Sequence, residues 1–298
     1  MEKRVLGKTG MAVSVLGFGG AEIGYENVAL EKVERLLHAA LDAGLNIIDT
    51  AECYPGSEEL IGRAVSGRRK DFYLFTKCGH ASGFDLPDWD LRMLEMQIDR
   101  CLQRLRVDHV DLVQLHSCSK EMLEKGDVIG VLEKARDAGK TRFIGYSGDG
   151  QAAVYAVESG RFDTLQTSVS IADQQVIDLV LPLAVRRNIG VIAKRPIANA
   201  IWKLPTEPAN AYYQEYWRRL GILKYDFLRR DMDQAVSIAL RFTLAQPGVA
   251  TAIVGTTKPD RWAANARLLD AGPLNASEIQ GIRERWRAAG SADWVGQI

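Results

Sequence analysis

Eight short apolar runs recur along this chain, and a segment with helical spacing follows each of them. The runs predicted to be strands are 13–18, 45–49, 72–78, 110–115, 142–147, 164–167, 190–194 and 250–255. Continuously apolar strands that alternate with helices are typical of a parallel sheet whose outer face is covered. Eight such units in 298 residues favour an α/β fold, a closed (β/α)8 TIM barrel, over an open doubly wound sheet.

The open-sheet alternative would normally carry a dinucleotide-binding glycine motif directly after its first strand. Here residues 17–20, Gly-Phe-Gly-Gly, lack the third glycine that lets the next helix pack closely on the strand. The length would also allow two average domains, but no Pro-, Gly- or Ser-rich linker divides the chain. We therefore expect residues 1–298 to form a single barrel domain with a short N-terminal hairpin that begins near Lys3.

The helices that complete the pattern have recognisable boundary signals. Gly44 follows the first of them, and Ser57 opens the second with two glutamates at its positive end. The predicted helices are 30–43, 57–65, 90–105, 128–138, 151–159, 174–187, 232–245, 259–269 and 276–288. Residues 198–231 are predicted to form a long, irregular loop rich in aromatic residues. Such a loop suits an apolar substrate pocket, and it equally suits a packed excursion or an oligomer contact.

Charge and composition argue against several classes of function. Lys plus Arg and Asp plus Glu both number 38, so no net field draws the chain to nucleic acid or anionic lipid. No run approaches the roughly 20 apolar residues of a membrane span and no secretory signal opens the chain, so we expect a cytoplasmic location. The four cysteines form no CxxC pair and have no histidine at metal-ligand spacing, which argues against a metal site.

Four ionisable side chains stand at or just beyond the ends of consecutive predicted strands. Asp49 ends the second strand and Tyr54 follows it by five residues, while Lys77 and His116 lie at the ends of the next two. In a barrel these strand ends meet at one mouth. A lysine stabilises a nearby phenolate, an aspartate offsets the burial of that lysine, and a histidine can hydrogen-bond a carbonyl oxygen. The set therefore suits protonation of a carbonyl that receives a hydride.

Each of these residues alone has a simpler explanation. Asp49 could cap the loop that follows it, Tyr54 could be a turn aromatic, and His116 could be a structural histidine. Lys77 is the hardest to explain in this way, because a lysine is rarely buried without a partner. The interpretation depends on the coincidence of the four positions.

In order and spacing, these and other residues resemble the aldo-keto reductase family. The similarity covers nearly the whole chain and includes residues 6–20, 49–54, 56–58, 76–77, Leu105, 110–112, His116, 139–140 and 144–145. The family's catalytic tetrad corresponds to Asp49, Tyr54, Lys77 and His116. The resemblance thus supports the barrel fold and assigns a role to each of the four side chains.

The resemblance implies an enzyme that reduces an aldehyde or ketone with NADPH and without a metal. Tyr54 would donate the proton, and Lys77 would lower the pKa of Tyr54. Asp49 would pair with Lys77, and His116 would orient the carbonyl. Hydride chemistry belongs to the cofactor, while the protein contributes placement and a tuned acid. A cofactor-binding regulatory subunit with little turnover is an alternative that the same fold can supply.

The resemblance also implies how the nicotinamide is held. Ser147 and Gln166 match the residues that bind its carboxamide, but Gly148 stands where the family usually has asparagine. An aromatic residue commonly stacks on the nicotinamide after the seventh strand. This chain has Lys194 and Arg195 there, so stacking by the Arg195 guanidinium is the expected replacement.

A loop after the eighth strand resembles the family's site for the adenosine 2′-phosphate. Hydroxyls, a predicted helix N-terminus and two cations suit a dianion. The matching residues are Gly255, Thr256, Thr257, Lys258, Arg261 and Asn265. This set predicts a preference for NADPH over NADH. The predicted partner is a small carbonyl compound, and the sequence indicates no oligomeric state.

Overall fold

The described part of the chain contains ten strands, and eight of them close into a ring. The computed structural model describes residues 1–297. The strands are β1 (Lys3–Val5), β2 (Ala12–Ser14), β3 (Leu16–Gly19), β4 (Ile47–Asp49), β5 (Tyr73–Cys78), β6 (Val110–His116), β7 (Thr141–Ser147), β8 (Thr164–Ser168), β9 (Gly190–Lys194) and β10 (Val249–Gly255). From β3 onward each strand pairs in parallel with the next, and β10 returns to β3. The predicted (β/α)8 barrel is confirmed.

The N-terminal hairpin closes one end of this barrel. β1 pairs with β2 in antiparallel fashion, as predicted. The hairpin buries Leu6, Met11 and Val13, each at most 1% exposed. They pack against apolar side chains of the barrel strands, Ile47, Phe75, Leu112, Ile192 and Ala250. Apolar packing therefore fills the amino end of the barrel, and a site for chemistry must lie at the opposite end.

The first predicted strand, 13–18, is in fact shared between two elements. Its beginning belongs to β2 of the hairpin, and the barrel strand starts only at Leu16. Asn46 explains the break, because its side-chain oxygen accepts a hydrogen bond from the Ser14 N–H at 2.6 Å. The Asn46 N–H donates in return to Ser14 Oγ at 3.1 Å. Ser14 therefore pairs with Lys3 in the hairpin and binds Asn46 in addition, and the barrel strand begins two residues later. The other seven predicted strands agree with the structure to within two residues.

Helices surround the barrel. They are α1 (Ala21–Tyr25), α2 (Leu30–Asp42), α3 (Ser57–Val65), α4 (Leu91–Leu105), α5 (Lys120–Lys125), α6 (Asp127–Asp137), α7 (Gly150–Ser159), α8 (Gln175–Leu179), α9 (Leu181–Arg186), α10 (Ala211–Leu223), α11 (Met232–Leu244), α12 (Arg261–Arg267) and α13 (Ala276–Ala289). The predicted helix 174–187 is divided into α8 and α9, because Pro182 has no N–H to continue the helical hydrogen bonds. No helix within residues 1–297 is long and apolar enough to cross a membrane.

The prediction of an irregular segment at 198–231 is wrong, since α10 occupies its centre. The Asn210 side chain caps this helix by accepting a hydrogen bond from a backbone N–H of the first turn at 3.0 Å. Tyr216, Leu220 and Leu223 are buried at helical spacing, so the helix packs one apolar face inward. The dense run of tyrosines and tryptophans obscured this period in the sequence.

Candidate active site

The four predicted catalytic residues lie together at the carboxyl end of the barrel. Asp49 is the last residue of β4, Lys77 is the last but one of β5, and His116 is the last of β6. Tyr54 lies in the short loop between β4 and α3. Parallel pairing of neighbouring strands keeps these ends level. Side chains that are far apart in sequence therefore become neighbours at one mouth.

Lys77 and Asp49 form a buried ion pair at the base of the site. Lys77 Nζ lies 2.5 Å from Asp49 Oδ2 and donates a second hydrogen bond to the Thr50 carbonyl at 2.8 Å. The two side chains are 1% and 2% exposed. Burial raises the pKa of the Asp49 carboxyl, and the Lys77 ammonium opposes that rise. Each charge compensates the other, because an unpaired buried charge is costly.

Two glutamine amides bind the other oxygen of Asp49. Gln166 Nε2 donates to Asp49 Oδ1 at 3.0 Å, and Gln114 Nε2 donates to it at 3.3 Å. Ser147 Oγ donates in turn to Gln166 Oε1 at 3.0 Å. Ser147 and Gln166 thus share one hydrogen-bonded chain with the ion pair. Sequence analysis missed Gln114, although it lies two residues before His116 and therefore on the same face of β6.

Tyr54 is partly buried above the ion pair. Lys77 Nζ lies 5.2 Å from the centroid of the Tyr54 ring, and the ring meets His116 edge-on at a centroid distance of 5.8 Å. Burial raises the pKa of the Tyr54 phenol well above its usual value, the Asp49 carboxylate raises it further, and Arg195 opposes the rise. The pKa of Tyr54 is therefore raised and not lowered, contrary to the effect expected from Lys77, because burial has the largest influence. At neutral pH the phenol therefore keeps its proton.

His116 is a neutral imidazole in this setting. Burial lowers the pKa of His116 well below its usual range, and the nearby Lys77, His80 and Arg195 act in the same direction. Its Nδ1 lies 3.4 Å from Cys53 Sγ, and its ring meets His80 edge-on at 5.3 Å between centroids. The ring can therefore offer only one N–H, and it cannot act as an imidazolium near neutral pH.

Lys194, predicted to contact the cofactor, is paired with a carboxylate of the protein. Its Nζ lies 2.9 Å from Asp149 Oδ2, and both side chains are buried. Asp149 also accepts hydrogen bonds from Thr167 Oγ1 and the Ser168 N–H, each at 2.7 Å. Burial would raise the pKa of Asp149, but Lys194 and these donors outweigh it and the net pKa is lowered. The pair fixes the ends of β8 and β9 relative to the loop after β7.

Arg195 extends into the barrel mouth from a backbone with φ of 55°. Its Nε donates to the Tyr212 hydroxyl at 2.8 Å, and its guanidinium also donates to Ser168 Oγ at 3.1 Å and to the Gln297 carbonyl. The guanidinium plane is therefore held by protein groups on several sides. Any stacking on a nicotinamide has to be compatible with these contacts or to replace the one from Gln297.

Gly148, which departs from the family pattern, is required by its neighbour Tyr146. The Tyr146 hydroxyl donates to the Cys118 carbonyl at 2.7 Å, which directs the ring across position 148. A Cβ atom at this position would overlap the Tyr146 phenol. The tyrosine two residues earlier thus leaves no room for the asparagine that the family resemblance predicts at this position.

The predicted phosphate loop follows β10, beside β3 and β9 in the ring. Thr256 Oγ1 accepts the Lys258 N–H at 3.1 Å, which folds the loop back on itself. Arg261 begins α12 and lies 3.5 Å from Asp233 Oδ1 with 43% of its side chain exposed. Asn265 is buried one turn further on. The loop and the first turn of α12 therefore carry two hydroxyls, an ammonium and a guanidinium, and the guanidinium is paired with Asp233.

Two glutamates face this loop: Glu22 of α1, and Glu26, which is the C-terminal cap of that helix. A Cβ atom at position 255 would overlap the Glu22 carboxylate, so Gly255 is needed for this approach. Burial raises the pKa of Glu22. Thr257 Oγ1 donates to Glu26 Oε2 at 2.9 Å. A phosphate that used the Thr257 hydroxyl would have to take the place of Glu26.

Known proteins are similar to this chain in sequence and in fold. A model of the Aldo/keto reductase family matches residues 15–287. The chain is 28% identical to the uncharacterized oxidoreductase YqkF of Bacillus subtilis, over 95% of this chain and 96% of that protein. It is also 28% identical to L-galactose dehydrogenase of Arabidopsis thaliana, over 86% of this chain and 84% of that protein. Aldo-keto reductase AKR11C1 from Bacillus halodurans, in its holo form, matches with a TM-score of 0.83 and 27% identity over 98% of this chain and 99% of that one. The chain therefore belongs to the aldo/keto reductase family of oxidoreductases.

Proposed function

We propose that this protein reduces an aldehyde or ketone to the alcohol with NADPH, and that Tyr54 donates the proton. One observation supports this above the others. A protonated phenol stands beside a neutral imidazole and over a buried ammonium that is neutralised by Asp49. Such a set can give up one proton to a carbonyl oxygen while keeping the remaining charges compensated.

The residues around the mouth fit an NADPH molecule by their chemistry. Ser147 and Gln166 are a hydroxyl and an amide that can hold the nicotinamide carboxamide. At the other side of the mouth, Thr256, Lys258 and Arg261 offer a hydroxyl and two cations to the 2′-phosphate. This second group supports the choice of NADPH over NADH, because NADH has no 2′-phosphate for these cations to bind.

The reaction needs one hydride and one proton for each carbonyl. A bound NADPH, with its nicotinamide held by Ser147 and Gln166, would supply the hydride for the carbonyl carbon. Tyr54 gives its hydroxyl proton to the carbonyl oxygen, which completes the alcohol. The phenolate that remains lies near Lys77, whose Nζ is 5.2 Å from the ring centroid, and it regains a proton from solvent. Lys77 thus stabilises the charge that Tyr54 acquires during the step.

His116 has a different task from Tyr54. Because the imidazole is neutral, it can donate one hydrogen bond to the carbonyl oxygen without competing for the phenol's proton. It would hold the substrate with its oxygen facing Tyr54. The edge-on contact between the two rings is compatible with both groups reaching a single oxygen atom.

A steady-state assay of NADPH oxidation with a panel of aldehydes and ketones tests this function. We expect turnover by the wild type and a loss of roughly 100-fold or more in Tyr54→Phe, because the proton donor is removed. Tyr155→Phe on the outer helix α7 is the matched control and should retain activity. NADPH binding, followed by fluorescence quenching, should persist in Tyr54→Phe.

Three results would contradict the proposal. Tight NADPH binding by the wild type with negligible turnover across the panel would favour the regulatory-subunit alternative. Loss of NADPH binding together with activity in Tyr54→Phe would mean that Tyr54 has a structural role. Retained activity in that variant would exclude Tyr54 as the proton donor.

A further inference from the structure

Cys53 is not one of the four predicted catalytic residues, but it contacts one of them: its Sγ is 3.4 Å from His116 Nδ1. Within residues 1–297 it is the only hydrogen bond of the His116 ring. Cys53 is partly exposed at the mouth, whereas Cys78, Cys101 and Cys118 are buried. The need for a small packing side chain would explain a cysteine in this loop. It would not explain why the thiol faces a ring nitrogen of His116.

The backbone of the loop determines where the thiol lies. The Thr50 N–H donates to the Phe75 carbonyl at 2.9 Å, and the Glu52 N–H donates to the Lys77 carbonyl at 3.0 Å. The Glu52 side chain is itself buried beside Arg100 and Arg104. Thr50 and Glu52, which both precede Cys53 in the chain, are thus attached to β5 and α4. The backbone that leads into Cys53 is therefore held independently of His116, and the thiol extends from it to the imidazole.

A neutral imidazole exists as two tautomers, with its one N–H proton on either Nδ1 or Nε2. Near neutral pH His116 lacks a second proton, because burial and the surrounding cations lower its pKa. With the proton on Nε2 it can donate to a carbonyl oxygen beyond the ring, and Nδ1 is then an acceptor. With the proton on Nδ1, the Nε2 lone pair would meet the carbonyl oxygen and repel it. Only the first tautomer suits the role given to His116.

The thiol of Cys53 selects between these tautomers. Burial raises the pKa of Cys53 to about 11, so the sulfur carries its hydrogen near neutral pH. An S–H group is a weak donor and its sulfur is a weak acceptor. Nδ1 with a lone pair can accept from the thiol, whereas Nδ1–H would have only the weakly accepting sulfur to bind.

We infer that Cys53 is a positioning residue that keeps His116 in the Nε2–H tautomer by donating its thiol hydrogen to Nδ1. The inference rests on the proposed function, since it explains how His116 can donate to a substrate oxygen. The side-chain hydrogen bond of Cys53 is to His116 Nδ1, so we assign it an effect through the imidazole. Its contribution is to fix the direction in which His116 offers its one N–H.

Two-bond ¹H–¹⁵N correlation spectra of ¹⁵N-histidine-labelled protein test the tautomer directly. The chain has four histidines, and the signals of His116 are identified by their absence from His116→Gln. We expect Nδ1 without a proton and Nε2 with one in the wild type and in Cys53→Ser, whose hydroxyl can replace the thiol. Cys53→Ala should show a mixture of tautomers. Cys101→Ala, which removes a buried thiol of α4, is the matched control and should match the wild type.

A proton on Nδ1 in the wild type, or identical His116 signals in Cys53→Ala, would overturn the inference. These readouts need no turnover, so they remain valid even if the panel of carbonyl compounds shows no activity. If the chain does reduce carbonyls, Cys53→Ala should lower kcat by roughly threefold to tenfold, the value of one hydrogen bond. Cys53→Ser should restore kcat, and the KM for NADPH should be unchanged in both. An active enzyme with unaltered His116 signals would refute this inference alone.

Discussion

At the level of single residues, burial decides how the ionisable groups of the site behave. It raises the pKa of Tyr54 and lowers that of His116, so near neutral pH the phenol keeps its proton and the imidazole has only one. Spacing in the sequence identified both residues as candidates. It could not give the direction of the shift at Tyr54, because the balance between burial and Lys77 depends on the path of the loop that carries the phenol.

Replacing Lys77 with methionine should destabilise the fold as well as stop reduction. The substitution leaves the Asp49 carboxylate buried without its cation, and breaking such a pair costs about 3–5 kcal/mol. Urea unfolding followed by tryptophan fluorescence measures this change in the free energy of unfolding. The double variant Lys77→Met/Asp49→Asn leaves no buried charge, and we expect it to regain most of the stability while remaining inactive. Equal stabilities of the single and double variants would contradict the ion pair.

At the level of elements, the strand ends were predictable and the contacts between them were not. Asp49, Lys77 and His116 follow apolar runs whose ends are visible in the sequence. Gln114 was missed because its role depends on a hydrogen bond to Asp49, which lies two strands away in the barrel. The register of the strands determines this contact. The helix α10 was missed for a different reason, since many of its aromatic side chains remain partly exposed and hide the apolar period.

Arg261, at the beginning of α12, gives a test of cofactor preference at this scale. We expect Arg261→Ala to lower the ratio of kcat/KM for NADPH to that for NADH by roughly tenfold, the effect of one charge-assisted hydrogen bond. Steady-state kinetics with both cofactors measures the ratio. Arg267→Ala removes an equally charged, exposed side chain from the last turn of the same helix and serves as the control. An unchanged ratio in Arg261→Ala would remove this residue from the phosphate site.

At the level of the whole molecule, the two ends of the barrel differ in composition: one is packed with apolar side chains, and the other carries the polar groups of the candidate site. The hairpin fills the amino end with Leu6, Met11 and Val13, and the polar groups of the site gather at the carboxyl end. The hairpin itself was predicted from the sequence. Its function as a plug was not, because the pairing of Ser14 with Asn46 that separates it from the barrel strand depends on tertiary structure.

The stability of the whole molecule should depend on pH through Glu58. This side chain is 1% exposed, accepts a hydrogen bond from Thr76 at 2.6 Å, and has a pKa that burial raises from 4.5 to about 7. Between these two values the folded protein retains a proton that the unfolded chain has released. The contribution of the protonated form is therefore complete below pH 4.5 and is lost as the pH rises through about 7.

Glu58→Gln removes this dependence because an amide does not titrate. Relative to the wild type, the variant should gain up to about 3 kcal/mol of unfolding free energy between pH 4.5 and 8, from the size of the pKa shift. Chemical unfolding at a series of pH values measures the difference. Glu59→Gln, the exposed neighbour on α3, should follow the wild type throughout. Parallel pH profiles for Glu58→Gln and the wild type would show that Glu58 is not the group responsible.

The steric relation between Tyr146 and Gly148 also determines the order in which this sequence can change. An asparagine at 148 cannot be introduced while the phenol occupies its Cβ position. A smaller residue at 146 has to come first, and that intermediate gives up the hydrogen bond to Cys118 before any new amide is gained. Position 148 is therefore epistatic to position 146, because the cost of a side chain at 148 depends on which residue stands at 146.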